Sequence, residues 1–258
     1  MRRGLWDRET VALLLIAAVL PMAAAWLWWG GAGAAGRLVW ALAVSGAWHL
    51  VFMLARAQPP SFAGALAGFA VAVLSPEAGP LQLALGITFG MVLGELVFGG
   101  WGRNFLHPAA ATAMFLGFGY PTAAWPALVL PVAWAAIPAV LIGVAFGVMP
   151  WRTAAGAVLA GAVAVTFGPP GLAPFAAAGA VVLALIVLDP VAGAATSVGR
   201  WLHGASYAGF LALFATGWVG VAPVQAAVTA AFLAALAAPL LDEIAIQAWL
   251  MQRRRRHG

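Results

Sequence analysis

Most of the polar chemistry in this sequence falls in two short stretches. The first runs from Glu95 through Gly100, Gly102, Arg103 and Asn104 to His107 and Pro108. The second runs from Asp189 and Pro190 through Thr196, Ser197, Gly199 and Arg200 to His203. Each offers a carboxylate, a glycine-rich backbone, an arginine and a histidine. Glycine permits unusual backbone angles and leaves N–H donors exposed. Such donors beside an arginine suit a phosphate or the polar edge of a heteroaromatic cofactor. A carboxylate at the end of an apolar span is costly unless paired or used, so Glu95 and Asp189, with Asp242 further on, are candidates for an ion or proton path. The plain alternative is Arg–Glu and Arg–Asp pairs that only close two loops.

Recurrence argues for a shared site. Gly102-Arg103-Asn104-Phe105-Leu106-His107 reappears as Gly199-Arg200-Trp201-Leu202-His203 with one residue deleted, in a chain with twelve arginines and four histidines. Ala70-Val71-Ala72-Val73 likewise recurs as Ala162-Val163-Ala164-Val165. The internal repeat covers approximately 61–120 and 151–221, as in membrane proteins built from duplicated halves. His49, His107 and His203 together also raise haem b ligation as an alternative. The sequence contains no Gly-x-Ser-x-Gly, P-loop or His-Glu-x-x-His pattern and no cysteine. No catalytic residue or metal ligand is therefore assigned, and a bound cofactor or ion must supply the reactivity.

The elements that position these loops follow from composition. Of 258 residues, 65% are apolar and 7% charged, against about a quarter charged in ordinary soluble domains. Mean hydropathy is +1.02. Such a chain is expected to be solvated by the lipid bilayer, as a single all-α transmembrane domain spanning 1–258, with a basic cytoplasmic tail at 251–258. At about 20 residues per span, ten segments are expected: Thr10–Trp29, Leu38–Ala55, Ser61–Leu74, Leu81–Phe98, His107–Tyr120, Pro126–Val148, Trp151–Gly168, Leu172–Leu188, Trp201–Val221 and Val224–Leu250. The third and fifth are short, so some spans are expected to be tilted or discontinuous and shielded by protein. The N-terminal arginines precede too long an apolar run for a cleaved signal peptide. With ten spans and both termini cytoplasmic, every arginine except Arg37 falls on the inner face, as the positive-inside rule requires. Trp101 and other tryptophans at span ends read as interfacial anchors. The scattered basic residues argue against a nucleic-acid partner.

The loops also resemble a known family. Gly99-Gly100-Trp101-Gly102-Arg103-Asn104-Phe105-Leu106-His107-Pro108-Ala109 is similar to the Gly-Gly-x-Gly-x-Asn-x-Phe-Asn-Pro-Ala signature of the B subunit of sodium-translocating NADH:quinone reductase and the D subunit of the Rnf electron-transport complex. Asp189-Pro190-Val191-Ala192 with Gly199-Arg200, and Ala238-Pro239-Leu240-Leu241-Asp242, resemble two further family segments. The resemblance implies a bacterial inner-membrane subunit of an ion-translocating oxidoreductase complex. It would bind flavin (FMN or riboflavin, held non-covalently by the two loops) and pass electrons between FMN-binding and iron–sulfur partner subunits, coupled to Na⁺ or H⁺ movement. The family's Ser-Gly-Ala-Thr attachment segment is missing, and Thr122 is the one hydroxyl nearby; His107 and Ala192 replace a motif Asn and Ser. The chain reads as a shortened member. Other functions compatible with the same bundle are a transporter or channel for a small solute or flavin, and a membrane anchor for a soluble reductase.

Overall fold

The structure, a computed structural model, describes residues 6–57, 61–168 and 171–257, with side chains through Arg253. The described residues form nine α-helices and no strand: α1 (Arg8–Arg56), α2 (Ala63–Leu74), α3 (Pro80–Gly94), α4 (Pro108–Gly119), α5 (Leu130–Ala145), α6 (Trp151–Phe167), α7 (Ala173–Val182), α8 (Ser197–Gly217) and α9 (Pro223–His257). A 3₁₀ turn, Leu96–Phe98, follows α3, and a π turn, Leu183–Val187, extends α7.

The count is nine rather than ten because the first two expected spans are arms of one element. Straight, the 49 residues of α1 would extend about 73 Å. Yet Arg8 Nη1 donates to the Trp101 carbonyl at 3.2 Å and Arg56 Nη1 to the Val97 carbonyl at 3.3 Å, so both ends meet one loop. The chain turns back at Gly31, whose φ of 58° and ψ of −146° are available to glycine and almost nothing else. Asp7 caps the first arm by accepting from Thr10 N–H.

Arg8–Arg56, Pro80–Phe98 and Pro223–Arg253 are long and apolar enough to cross a membrane. Large apolar side chains such as Leu20, Leu54, Leu81, Val158 and Leu240 cover the outside of the bundle. Water solvates such a surface poorly, whereas lipid suits it. The short helices α2 and α4 sit largely inside. All of α2 except Ala65 is buried, and its 12 residues rise about 18 Å, well short of a hydrocarbon core of about 30 Å. Its buried carbonyl end is closed by Arg37. The guanidinium donates from Nε to the Ala72 carbonyl at 2.9 Å and from Nη2 to Ser75 O, Ser75 Oγ and Pro76 O at 2.7 to 2.8 Å. The arginine that stood outside the positive-inside pattern is a helix cap.

Helices α6 and α8 cross where neither has a side chain. A Cβ on Gly156 would collide with the Trp201 carbonyl, and one on Gly204 with the Thr153 carbonyl. Gly204→Ala should therefore cost about 1–3 kcal/mol, the usual penalty for overpacking. Gly209→Ala, where a Cβ meets nothing within 4 Å, should be neutral. Thermal unfolding of the two variants in the same detergent checks this.

Candidate functional site

The two loops meet at one end of the bundle. Helix α3 stops at Gly94, and Glu95, with φ of −135° and ψ of −58°, turns its carboxylate inward. Gly99, Gly100 and Gly102 follow with φ of 107°, 87° and 101°, and this left-handed run carries the Arg103 side chain outward into exposure. In place of the Arg103–Glu95 loop closure raised as the plain alternative, Glu95 makes a contact inside the bundle. Glu95 is 1% exposed, and its Oε1 lies 3.3 Å from Nε2 of His49 on α1. Nδ1 of His49 lies 2.9 Å from the Ser45 carbonyl, so both ring nitrogens are engaged within the protein.

Asp189 enters from the second loop, directly after the π turn. It is 6% exposed, and its Oδ1 accepts from Trp101 Nε1 at 3.4 Å and from Val191 N–H at 3.2 Å. The Trp101 bond ties the loops together. His107 caps α4, its Nδ1 accepting from Ala109 N–H at 3.2 Å, and it interacts electrostatically with both Asp189 and Glu95. Buried His107 thus stands in the electrostatic field of both buried carboxylates, and His49 meets Glu95 from α1. Glu95 Oε2 and Asp189 Oδ2 are buried with no hydrogen-bond partner. Burial pushes the Asp189 carboxyl above the ordinary aspartate range, against the pull of His107, Val191 N–H and the Trp101 indole.

The remaining site residues hold the loops in shape. Asn104 is buried; its Oδ1 accepts from Gly102 N–H and its Nδ2 donates to the Leu106 carbonyl, each at 3.2 Å. Asp242, from α9, accepts from Ala195 N–H at 2.7 Å, Thr196 N–H at 2.9 Å and Thr196 Oγ1 at 2.6 Å. Thr196 Oγ1 in turn accepts from Gly199 N–H and caps α8. A Cβ on Gly199 would occupy the place of the Asp242 carboxylate. Arg200 donates from Nε to the Ala194 carbonyl at 3.2 Å and acts electrostatically on Asp242. His203 is buried, with Nδ1 unpartnered. Pro108 opens α4, Pro190 follows Asp189, and Ser197 is exposed at the start of α8. Thr122 is exposed in the connection between α4 and α5. That connection joins the Arg37 end of the bundle through the Glu77 N–H to Ala124 carbonyl bond of 2.7 Å, so Thr122 lies apart from both loops. The sequence reading missed Trp101 as the link between loops and His49 as the partner of Glu95.

A flavin cradle needs donors turned toward the cofactor. Here the loop N–H groups are turned toward the protein. Gly99 N–H donates to Leu96 O, Gly100 N–H to Glu95 O and Arg103 N–H to Gly100 O, Gly102 N–H to Asn104, and Ala195 and Thr196 N–H to Asp242. These N–H groups are therefore not open to a flavin, while the side chains of Arg103 and Ser197 are exposed. Two clefts of about 350 Å³ each lie elsewhere, one apolar between α6, α7 and α8, the other at the Arg37 end beside Trp26, Trp29 and Glu77.

Residues 5–129 match the profile of the NQR2, RnfD, RnfE family. Over that stretch, just under half of its length, the chain is similar to this family. The family stretch contains the α1 hairpin, His49, Glu95, Trp101 and His107; the second loop and Asp242 lie beyond it. The chain is 42% identical over 80 residues to the B subunit of the Na(+)-translocating NADH-quinone reductase of Chromohalobacter salexigens, a match covering 31% of this chain and 20% of that protein. It is 43% identical over 79 residues to the protein of the same name from Yersinia pestis, covering 30% and 19%. A third such protein, from Pseudomonas paraeruginosa, is 43% identical over 79 residues, covering 30% and 20%. The chain thus matches about a fifth of the length of these relatives.

Proposed function

We propose that this chain is a membrane subunit of an Nqr- or Rnf-type electron-transport complex, and that its part is to move protons at the Glu95–His107–Asp189 cluster as electrons pass through partner subunits. The observation that carries this reading is the pair of buried carboxyls, each with one oxygen left unpartnered, gathered around a histidine where the two loops meet. A polar group is kept unsatisfied in an apolar interior at a cost of about 1–3 kcal/mol, and such groups concentrate where ions or protons are exchanged. Each carboxyl has an imidazole in its field, which favours proton exchange. Asp242, saturated by three donors, acts as the anchor of α8 instead. The flavin that the family resemblance implies would belong to the partners, because six of the backbone donors in this chain's loops are already used.

Isolation of the tagged chain from native membranes tests the reading. Flavin- and iron–sulfur-containing proteins should co-purify, and reduction of that assembly should be accompanied by proton uptake that Asp189→Asn abolishes. The chain stripped of partners should be colourless. Recovery without redox partners would overturn the assignment to a complex, and flavin retained by the isolated chain would overturn its assignment to the partners.

A further inference from the structure

We propose that His49 is the proton partner of Glu95: the two side chains hold one proton between them inside the bundle, which leaves Glu95 Oε2 as the oxygen that exchanges. This rests on the reading of Glu95 as part of the proton path, and it names a positioning residue for that path. The argument is one of donors and acceptors. Nδ1 of His49 is 2.9 Å from the Ser45 carbonyl, and a carbonyl only accepts, so Nδ1 carries a hydrogen. A neutral imidazole has one N–H, so Nε2 is then a bare lone pair, 3.3 Å from Glu95 Oε1. Two acceptors facing each other in a buried site repel. One proton removes the conflict, either on Nε2, giving imidazolium and carboxylate, or on Oε1, giving imidazole and carboxylic acid. The two forms interconvert by moving that proton across the contact, and both are neutral overall. The pair without the proton would be an uncompensated buried anion, which costs several kcal/mol.

The packing enforces this contact. Helix α2 passes so close that a Cβ on Gly64 would lie 2.6 to 3.0 Å from the imidazole ring atoms. Ser45 Oγ donates to the Gly64 carbonyl at 3.2 Å, which fixes α1 against α2 one turn from the histidine. The other charged groups around the pair leave the proton to it. Arg56 reaches the Val97 carbonyl, Arg8 is paired with Glu9, and Arg103 is exposed. Helix α2 has no titratable residue. His107 interacts electrostatically with Glu95, and Asp189 acts on His107 in turn.

The test is the nitrogen spectrum of the full chain, labelled with ¹⁵N-histidine and reconstituted in lipid, with the His49 signals assigned by their loss in His49→Gln. Nδ1 should be protonated throughout, and Nε2 should resonate between the bare and the protonated positions, as for a shared proton. In Glu95→Gln the Nε2 signal should shift to that of an unprotonated nitrogen. Gly64→Ala, which retains the carboxyl but displaces the ring, should lose the shared-proton signal. A bare Nδ1 in the unsubstituted chain would overturn the proposal without any variant. So would an Nε2 signal that Glu95→Gln leaves unmoved. Neither spectrum needs a partner, a flavin or turnover. A complex that takes up no protons would therefore sink the proposed function and leave this pair standing.

Discussion

Arg37→Met should detach the end of α2 from α1 and lower the stability of the bundle by about 3 kcal/mol, the loss of roughly two charge-assisted hydrogen bonds at about 1.5–3 kcal/mol each. The structure gives Arg37 four such contacts, to Ala72 O, Ser75 O, Ser75 Oγ and Pro76 O. The half-buried position lets water replace part of them, which is why the full sum is not expected. Arg37→Lys should recover less than half the loss. One guanidinium presents a planar fork of donors to several carbonyls at once, while an ammonium is a single point on a flexible stem. Thermal unfolding in detergent reads the stability, and hydrogen exchange at Ser75 and Glu77 locates the damage. A melting temperature unchanged in Arg37→Met would refute the capping role.

Asp189→Asn and Glu95→Gln should have the opposite signature: fold stability within about 1 kcal/mol of the parent or higher, and proton exchange abolished. Most point substitutions destabilise. These two keep the size and shape of the side chain and change a carboxyl that has one oxygen without a partner, while deleting the acid that the proposed function uses. The pH dependence has a definite sign. Burial holds the Asp189 carboxyl above its ordinary value of 3.8, so the folded chain binds that proton more tightly than the unfolded chain does. The stability from this group is fully present below about pH 3.8 and is lost as pH rises through the raised folded value. Asp189→Asn should flatten that slope. Melting temperatures across a pH series, with proton uptake on the same preparations, decide the matter. Marked destabilisation by Asp189→Asn, with proton uptake retained, would assign the carboxyl to structure.

Much of this arrangement could be read from the residues alone. Scarcity of charge exposed the two loops, and the short third span announced a helix that protein must shield, as α2 is. The partners were hidden. Glu95 looked poised to pair with Arg103, eight residues on, but the sign of φ at three glycines decides which way that arginine points, and sequence does not fix that sign. His49 lies 46 residues before Glu95 and meets it only because Gly31 folds α1 back and Gly64 lets α2 close over the ring. Arg37 violated a topology rule until the carbonyl end of α2 was placed beside it. Trp101 was indistinguishable from an interfacial anchor until its indole N–H was found on Asp189. In each case spacing along the chain identified the residue, and a contact across the bundle assigned its role.

The π turn at Leu183–Val187 bears on how such a site could arise. Leu188 N–H reaches back to the Leu183 carbonyl, one residue further than an α-helix allows, as if α7 had absorbed a single inserted residue. Each residue turns an α-helix by about 100°, so the same helix without the extra residue would present Asp189 roughly a quarter-turn away from Trp101 and His107. The placement of the carboxyl is thus a matter of local chain length as much as of residue type. A one-codon insertion or deletion would be enough to create or erase it.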